Sequence, residues 1–153
     1  MKTVGIIGFG TFGRFMAAQL APYLSVLVDE ARVSAAEAKA AGAKRVPYTE
    51  LGAADVVIPS VPVQALEGVL QELDTVVRPG ALVADVSSVK VIPVELMQAL
   101  LPPGVEILAT HPLFGPQSGA QGIAGLPMVV WPVRVRAERY ERIRRFLGET
   151  LGR

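Results

Sequence analysis

The sequence predicts an α/β fold: a doubly wound, mainly parallel sheet flanked by helices, built as a single domain. Three observations predict it. Short apolar runs alternate with helical patterns along the whole chain; the first run leads directly into a glycine-spaced turn; and the second run closes on an acidic residue, Asp29. Strands that alternate with helices need crossover connections, and right-handed crossovers return each strand parallel to the last and buried on both faces.

Thr3-Val4-Gly5-Ile6-Ile7 reads as the first strand, followed by a helix from Thr11 to about Leu20. Pro22 ends that helix, because it has no N–H to continue the ladder. Ser25-Val26-Leu27-Val28-Asp29 gives the second strand, and Ser34-Ala35-Ala36-Glu37 has the pattern of a capping box. The helix it starts runs to about Ala41, with Gly42 as its stop, before a short third strand near Lys44–Val46. Asp55-Val56-Val57-Ile58 gives a fourth strand, Gln64 to Leu73 a helix, Ala81 to Asp85 a fifth strand and Val94 to Leu101 another helix. Val105 to Thr110 is the sixth strand. A long Gly/Pro-rich loop separates it from a strand at Met128–Trp131 and a final helix from Ala137 to Leu151.

The turn after the first strand is Gly8-Phe9-Gly10-Thr11-Phe12-Gly13. In this context the spacing is a dinucleotide-binding fingerprint of the Rossmann type. Gly8 permits the tight strand-to-helix turn, Gly10 lets backbone approach a pyrophosphate, and Gly13 lets the helix pack closely on the strand. The helix N-terminus directs free N–H groups and its positive dipole end at the phosphates. Asp29, about 20 residues on, is placed to accept hydrogen bonds from ribose hydroxyls and to repel a 2′-phosphate. NAD is therefore favoured, and NADP is not excluded, since Arg32 stands three residues later. The competing explanation, three glycines in an ordinary turn, does not account for strand, helix and acid together.

At 153 residues the chain suits one domain, residues 1–153. A net charge of +1 with interspersed signs gives no field to gather nucleic acid or an anionic membrane. The absence of cysteine excludes disulfides, thiolate metal sites and cysteine nucleophiles, and no metal site is expected. No apolar run reaches about 18 residues without a breaker, and the chain opens on the fingerprint instead of a cleavable leader, so a cytoplasmic protein is expected.

Ligands of such sheets bind beyond the C-terminal ends of the strands. The fourth strand ends in Pro59-Ser60-Val61-Pro62, which places Ser60, Val61 and Pro62 beside the cofactor across the switch from the first strand; a plain strand terminator would read alike. The fifth ends in Asp85-Val86-Ser87-Ser88-Val89-Lys90, where a serine could equally cap a helix. The sixth ends in Thr110-His111-Pro112-Leu113-Phe114-Gly115-Pro116-Gln117-Ser118-Gly119. His111 is the only histidine, and although a lone histidine is more often structural, this one stands at a strand's end in a stiff loop.

The segments Asp85–Lys90 and His111–Gly119 together resemble the prephenate/arogenate dehydrogenase family, the second motif being nearer its plant-like and related bacterial branch. The resemblance spans the nucleotide-binding domain from Met1 to about Leu151. It implies NAD(P)-dependent oxidative decarboxylation leading to tyrosine, with Ser88 and His111 at the catalytic positions. Gly8, Phe9, Gly10, Thr11, Phe12, Gly13, Asp29, Ser60, Val61 and Pro62 then stand at cofactor positions. A neutral imidazole at His111 would take the substrate hydroxyl proton as hydride leaves, with Ser88 orienting the ring or bonding the same oxygen. Lys90, Gln117 and Ser118 are candidates for contact with the anionic substrate, although the duty expected first of Lys90 is to pair with Asp85 or to cap a local helix end. Gln117 stands where the family's plant-like motif commonly has glutamate.

The resemblance also implies a second, helical domain that forms a dimer and closes the site, and the expectation here is that this domain is absent from the chain. Two further functions remain open: a stand-alone NAD-binding domain that lacks turnover, or a related reductase of another small acid or imine. The arginines at 134, 136, 139, 142, 144 and 145 could suggest a nucleic-acid patch. Ala137, Tyr140, Ile143 and Leu147 instead form a core-facing stripe, and Glu138–Arg142 and Glu141–Arg145 are i,i+4 pairs, so a solvated helix is expected. Leu113, Phe114 and Trp131 are expected to be packing groups.

Overall fold

The computed structural model describes residues 2–120 and 122–151. Its strands are β1 (Thr3–Ile7), β2 (Ser25–Asp29), β3 (Lys44–Val46), β4 (Val56–Pro59), β5 (Leu82–Asp85), β6 (Glu106–Pro112) and β7 (Met128–Arg134). They form one sheet in the order β3-β2-β1-β4-β5-β6-β7, parallel throughout except that β7 runs antiparallel to β6. The order reverses between β1 and β4. That junction leaves a crevice outside the strand ends, where α/β sheets bind ligands.

Helices cover both faces. On one side α1 (Thr11–Leu20) and α6 (Ala137–Arg145) bury Met16, Ala17, Leu20 and Ile143 against Val4, Ile58 and Leu108. On the other, α3 (Tyr48–Gly52), α4 (Val63–Asp74) and α5 (Val91–Leu100) bury Leu51, Leu66, Leu70, Leu73 and Met97 against Val57, Val83 and Ile107. The remaining helix, α2 (Ala35–Ala40), opens with the expected capping box: Ser34 Oγ accepts the Glu37 N–H at 3.1 Å, and Glu37 Oε1 accepts the Ser34 N–H at 3.2 Å. Among the described residues no helix is long and apolar enough to cross a membrane.

The differences from expectation have local causes. The extra helix α3 is five residues long with Leu51 its only large buried side chain, too short for a periodic pattern to register. It packs so tightly on β1 that a Cβ on Gly5 would meet the Leu51 carbonyl oxygen at 2.7 Å, which explains a glycine inside a buried strand. α5 starts at Val91 and not Val94, because Pro93 sits in the first turn, where its missing N–H leaves no helical bond unmade. β7 extends through Pro132 to Arg134, which an edge strand tolerates. The final helix is α-helical only to Arg145 and continues as π-helical turns over Phe146–Leu151.

The arginine-rich segment is not uniformly solvated. Arg139 is 7% exposed; it donates to Glu106 Oε1 at 2.7 Å and to the Asp55 and Gly80 carbonyl oxygens, tying α6 to the N-terminal edge of β4, β5 and β6. Ala137 is exposed instead of packed, and the ion pair on this helix is Arg144–Glu141, at i,i+3. Burial pushes the Glu106 carboxyl up, but the Arg136 N–H and the Arg139 guanidinium outweigh it and hold the group below the usual carboxylate range.

Candidate functional site

The glycines of the fingerprint meet three different surroundings. Gly8 has φ +89°, and a Cβ there would lie 2.2 Å from the Ser60 carbonyl oxygen, so the β1–α1 turn is pressed against the β4–α4 turn. The Ser60 N–H closes the same contact on the Ile7 carbonyl at 2.7 Å. A Cβ on Gly13 would lie 2.1 Å from the Gly8 carbonyl oxygen. Gly10 differs: its φ is −76° and a Cβ would meet nothing within 4 Å. Nothing in the fold requires a glycine there, whereas backbone approach by a pyrophosphate does.

Gly10 is the N-cap of α1, and no side chain caps the helix. The first-turn N–H groups are thus without a side-chain acceptor and face a groove lined by Gly10, Thr11, Phe12, Gly13, Ser60, Val61, Pro62, Val86 and Ser87. This set fits a dinucleotide phosphate by its donors and by the open space at Gly10. Phe9 packs inward against the Val28, Val33 and Ala38 cluster, and Phe12 stacks obliquely on Phe15 with centroids 6.2 Å apart.

Asp29 closes β2, the strand that pairs with β1. Its Oδ1 accepts the Ala31 N–H at 3.0 Å, and its Oδ2 lies 3.8 Å from Arg32 Nε, on a side chain 65% exposed. In the same region Tyr48 carries a buried hydroxyl with no hydrogen-bond partner among the described residues. Its pKa is pushed up to about 12 by burial and by the nearby Glu72 carboxylate. Sequence reasoning gave no role to Tyr48, which belongs to no motif, or to Val86, which lies inside the Asp85–Lys90 segment.

The second half of the site lies at the ends of β5 and β6. Asp85 is fully buried, in register with Ala109, and Ser87 lines the groove while Ser88 is exposed just beyond it. His111 is half-buried and belongs to β6 itself, not to the following loop, because β6 extends to Pro112 and pairs His111 with Val129. Ser88 thus follows the C-terminal end of β5, and His111 is the penultimate residue of the adjacent parallel strand β6. Lys90, a candidate for substrate contact, is occupied within the protein: its Nζ lies 2.6 Å from Asp85 Oδ2, donates to the Thr110 carbonyl oxygen and stands 5.8 Å from the centre of the Trp131 ring.

Gln117 and Ser118 are exposed on the loop after β6. The Ser118 Oγ accepts the Gly115 N–H at 2.9 Å, and Phe114 packs edge-on against Phe15 of α1 with centroids 6.2 Å apart. Phe114 is buried as expected, while Leu113 is 50% exposed.

Comparison with known proteins agrees with this geometry. The family model "Prephenate dehydrogenase, nucleotide-binding domain" matches residues 19–146. The chain is 34% identical over 151 residues to the chloroplastic arogenate dehydrogenase 2 of Arabidopsis thaliana, across 94% of this chain and 42% of that protein. It therefore spans less than half the length of that relative. In fold it is similar to the arogenate dehydrogenase of Synechocystis, with a TM-score of 0.80 at 23% identity over 98% of this chain and 57% of that one. It is also similar in fold to the prephenate dehydrogenase of A. aeolicus in complex with hydroxyphenyl propionate and NAD+, with a TM-score of 0.74 at 19% identity over 95% of this chain and 56% of that one.

Proposed function

The chain belongs to the prephenate dehydrogenase nucleotide-binding-domain family, and from that membership we propose that residues 1–153 are the dinucleotide-binding domain of an NAD-dependent oxidoreductase that oxidatively decarboxylates prephenate or arogenate. The observation that carries this reading is the open face at Gly10, between a turn locked by Gly8 and a helix seated through Gly13.

NAD, when bound, supplies the hydride acceptor. The chain's own residues do the rest. The first-turn N–H groups of α1 would hold the pyrophosphate, and Asp29 would accept hydrogen bonds from the ribose hydroxyls. Asp29 favours NAD, and the exposed Arg32 is the group through which NADP would be accommodated. Val61 and Pro62 wall the groove on the side leading to Ser87. The unprotonated ring nitrogen of His111 takes the proton of the substrate hydroxyl, and the Ser88 hydroxyl orients that ring or donates to the same oxygen. Gln117 and Ser118 stand on the loop beyond His111, where a small anionic substrate would be enclosed.

The test is NADH formation with saturating NAD and either prephenate or arogenate, with His111→Asn as the blank. Turnover lost in the variant supports the reading, and the better substrate names the activity. A second reading, a dinucleotide-binding module whose residues do not suffice for turnover, is favoured by the exposure of Gln117 and Ser118 and by the pairing of Lys90 within the protein. NAD binding without NADH formation would support that one.

A further inference from the structure

We propose that Lys90 is a positioning residue: its ion pair with Asp85, laid against Trp131, fixes the backbone that carries His111 to the turn that carries Ser88. The proposal rests on the reading of His111 and Ser88 given above.

The contacts converge on one buried carboxylate. Asp85 is 0% exposed; its Oδ2 faces Lys90 Nζ and accepts the Ser87 N–H at 3.3 Å, while its Oδ1 accepts the Thr110 N–H at 3.4 Å. The Thr110 hydroxyl donates to the Asp85 carbonyl oxygen, and Lys90 Nζ donates to the Thr110 carbonyl oxygen. Thr110 immediately precedes His111, and Ser87 immediately precedes Ser88. The indole of Trp131 brings in β7, since Trp131 is in register with Ala109, the residue opposite Asp85. One ammonium therefore joins β5, β6 and β7 beneath both candidate catalytic side chains.

Lys90 is poorly suited to the alternative task of attracting a substrate anion. Its side chain is 15% exposed, and its N–H donors serve a carboxylate and a carbonyl within the protein. Paired with Asp85 it presents little net charge outward. Lys90 is also the N-cap of α5, where the helix dipole disfavours a cation, so the position needs a compensating partner, and Asp85 is that partner. A carboxylate as deeply buried as Asp85 needs a counter-charge in turn. The pair is mutually required, and its geometric output is the spacing between two loops.

The chain contains one histidine and one tryptophan, so the His111 ring resonances and the Trp131 emission assign themselves. The variants are Lys90→Met, Lys90→Arg and the neutral pair Asp85→Asn/Lys90→Met, which avoids stranding a buried charge. The proposal expects displaced His111 ring resonances and altered Trp131 emission in Lys90→Met and in the double variant, with recovery toward the native spectrum in Lys90→Arg. In turnover, Lys90→Met should lower kcat by about tenfold or more, as misplacement of a reacting group does, with substrate KM held within about twofold. Native His111 resonances in the double variant would overturn the proposal. So would a raised KM at unchanged kcat, which would make Lys90 a substrate ligand, or unfolding of the double variant, which would make the pair a stability element. Failure of the functional reading would appear separately, as absent NAD binding or turnover in the unmodified chain, and the spectra would still decide the role of Lys90.

Discussion

A methyl group on Gly13 would stand 2.1 Å from the carbonyl oxygen of Gly8. The two glycines form one contact, in which the turn leaving β1 and the first turn of α1 share a space that has no room for a side chain. The groove is shaped by that contact. Gly13→Ala should force the helix outward at an overpacking cost of about 1–3 kcal/mol, lowering Tm by about 2–12 °C for a chain of this size. Thermal unfolding followed by circular dichroism measures it, and an unchanged Tm would mean that the helix has freedom the structure denies it.

The fingerprint was legible because each glycine answers to a separate steric demand, and a regular spacing survives in sequence. The end of β6 was less so. His111 was expected at the edge of a loop because Pro112 and Gly115 follow it, yet pairing with Val129 and Met128 carries the strand through Pro112. Pairing across a 15-residue connection leaves no local trace. Arg139 was hidden for a similar reason: its partners, Glu106, Gly80 and Asp55, lie 33, 59 and 84 residues away. Lys90 was legible in part, since Asp85 is close in sequence, but its contact with Trp131 depends on the register of β7.

In the proposed reading Asp29 is the residue that would separate the two nicotinamide cofactors. Asp29→Ser should weaken NAD binding by about tenfold, the loss of a charge-assisted hydrogen bond, and should release Arg32 from its carboxylate partner to receive a 2′-phosphate. Parallel titrations with NAD and NADP read both effects. Tighter binding of NADP by the unmodified chain would contradict this role for Asp29.

The Tyr48 hydroxyl is buried with no hydrogen-bond partner among the described residues. Removing it in Tyr48→Phe should stabilise the fold by about 1 kcal/mol, the lower part of the range for an unsatisfied buried polar group. The alkaline limb gives a second check. Because the folded pKa, about 12, exceeds the ordinary value of 10.0, the phenol's contribution is complete below pH 10 and is lost as pH rises from 10 toward 12. That loss should be absent in Tyr48→Phe when denaturation midpoints are compared across the range, and equal slopes would remove the argument.

Acid should act through Glu106. Its folded pKa lies below the ordinary carboxylate value of 4.5, so its contribution to stability is present above that value and disappears as pH falls through the depressed one. Urea midpoints measured from pH 6 to pH 3 should fall more steeply for the unmodified chain than for Glu106→Gln. Parallel curves would show that the contacts of Glu106 with Arg136 and Arg139 do not stabilise the fold.

If the open face at Gly10 exists for a dinucleotide, calorimetric titration of NAD into the unmodified chain and into Gly10→Ala will reveal it. A single NAD site is expected in the former, and in the latter an unchanged Tm with affinity reduced about tenfold or more, equivalent to at least about 1.4 kcal/mol. Equal affinity in both proteins, or no NAD binding by the unmodified chain, would contradict it.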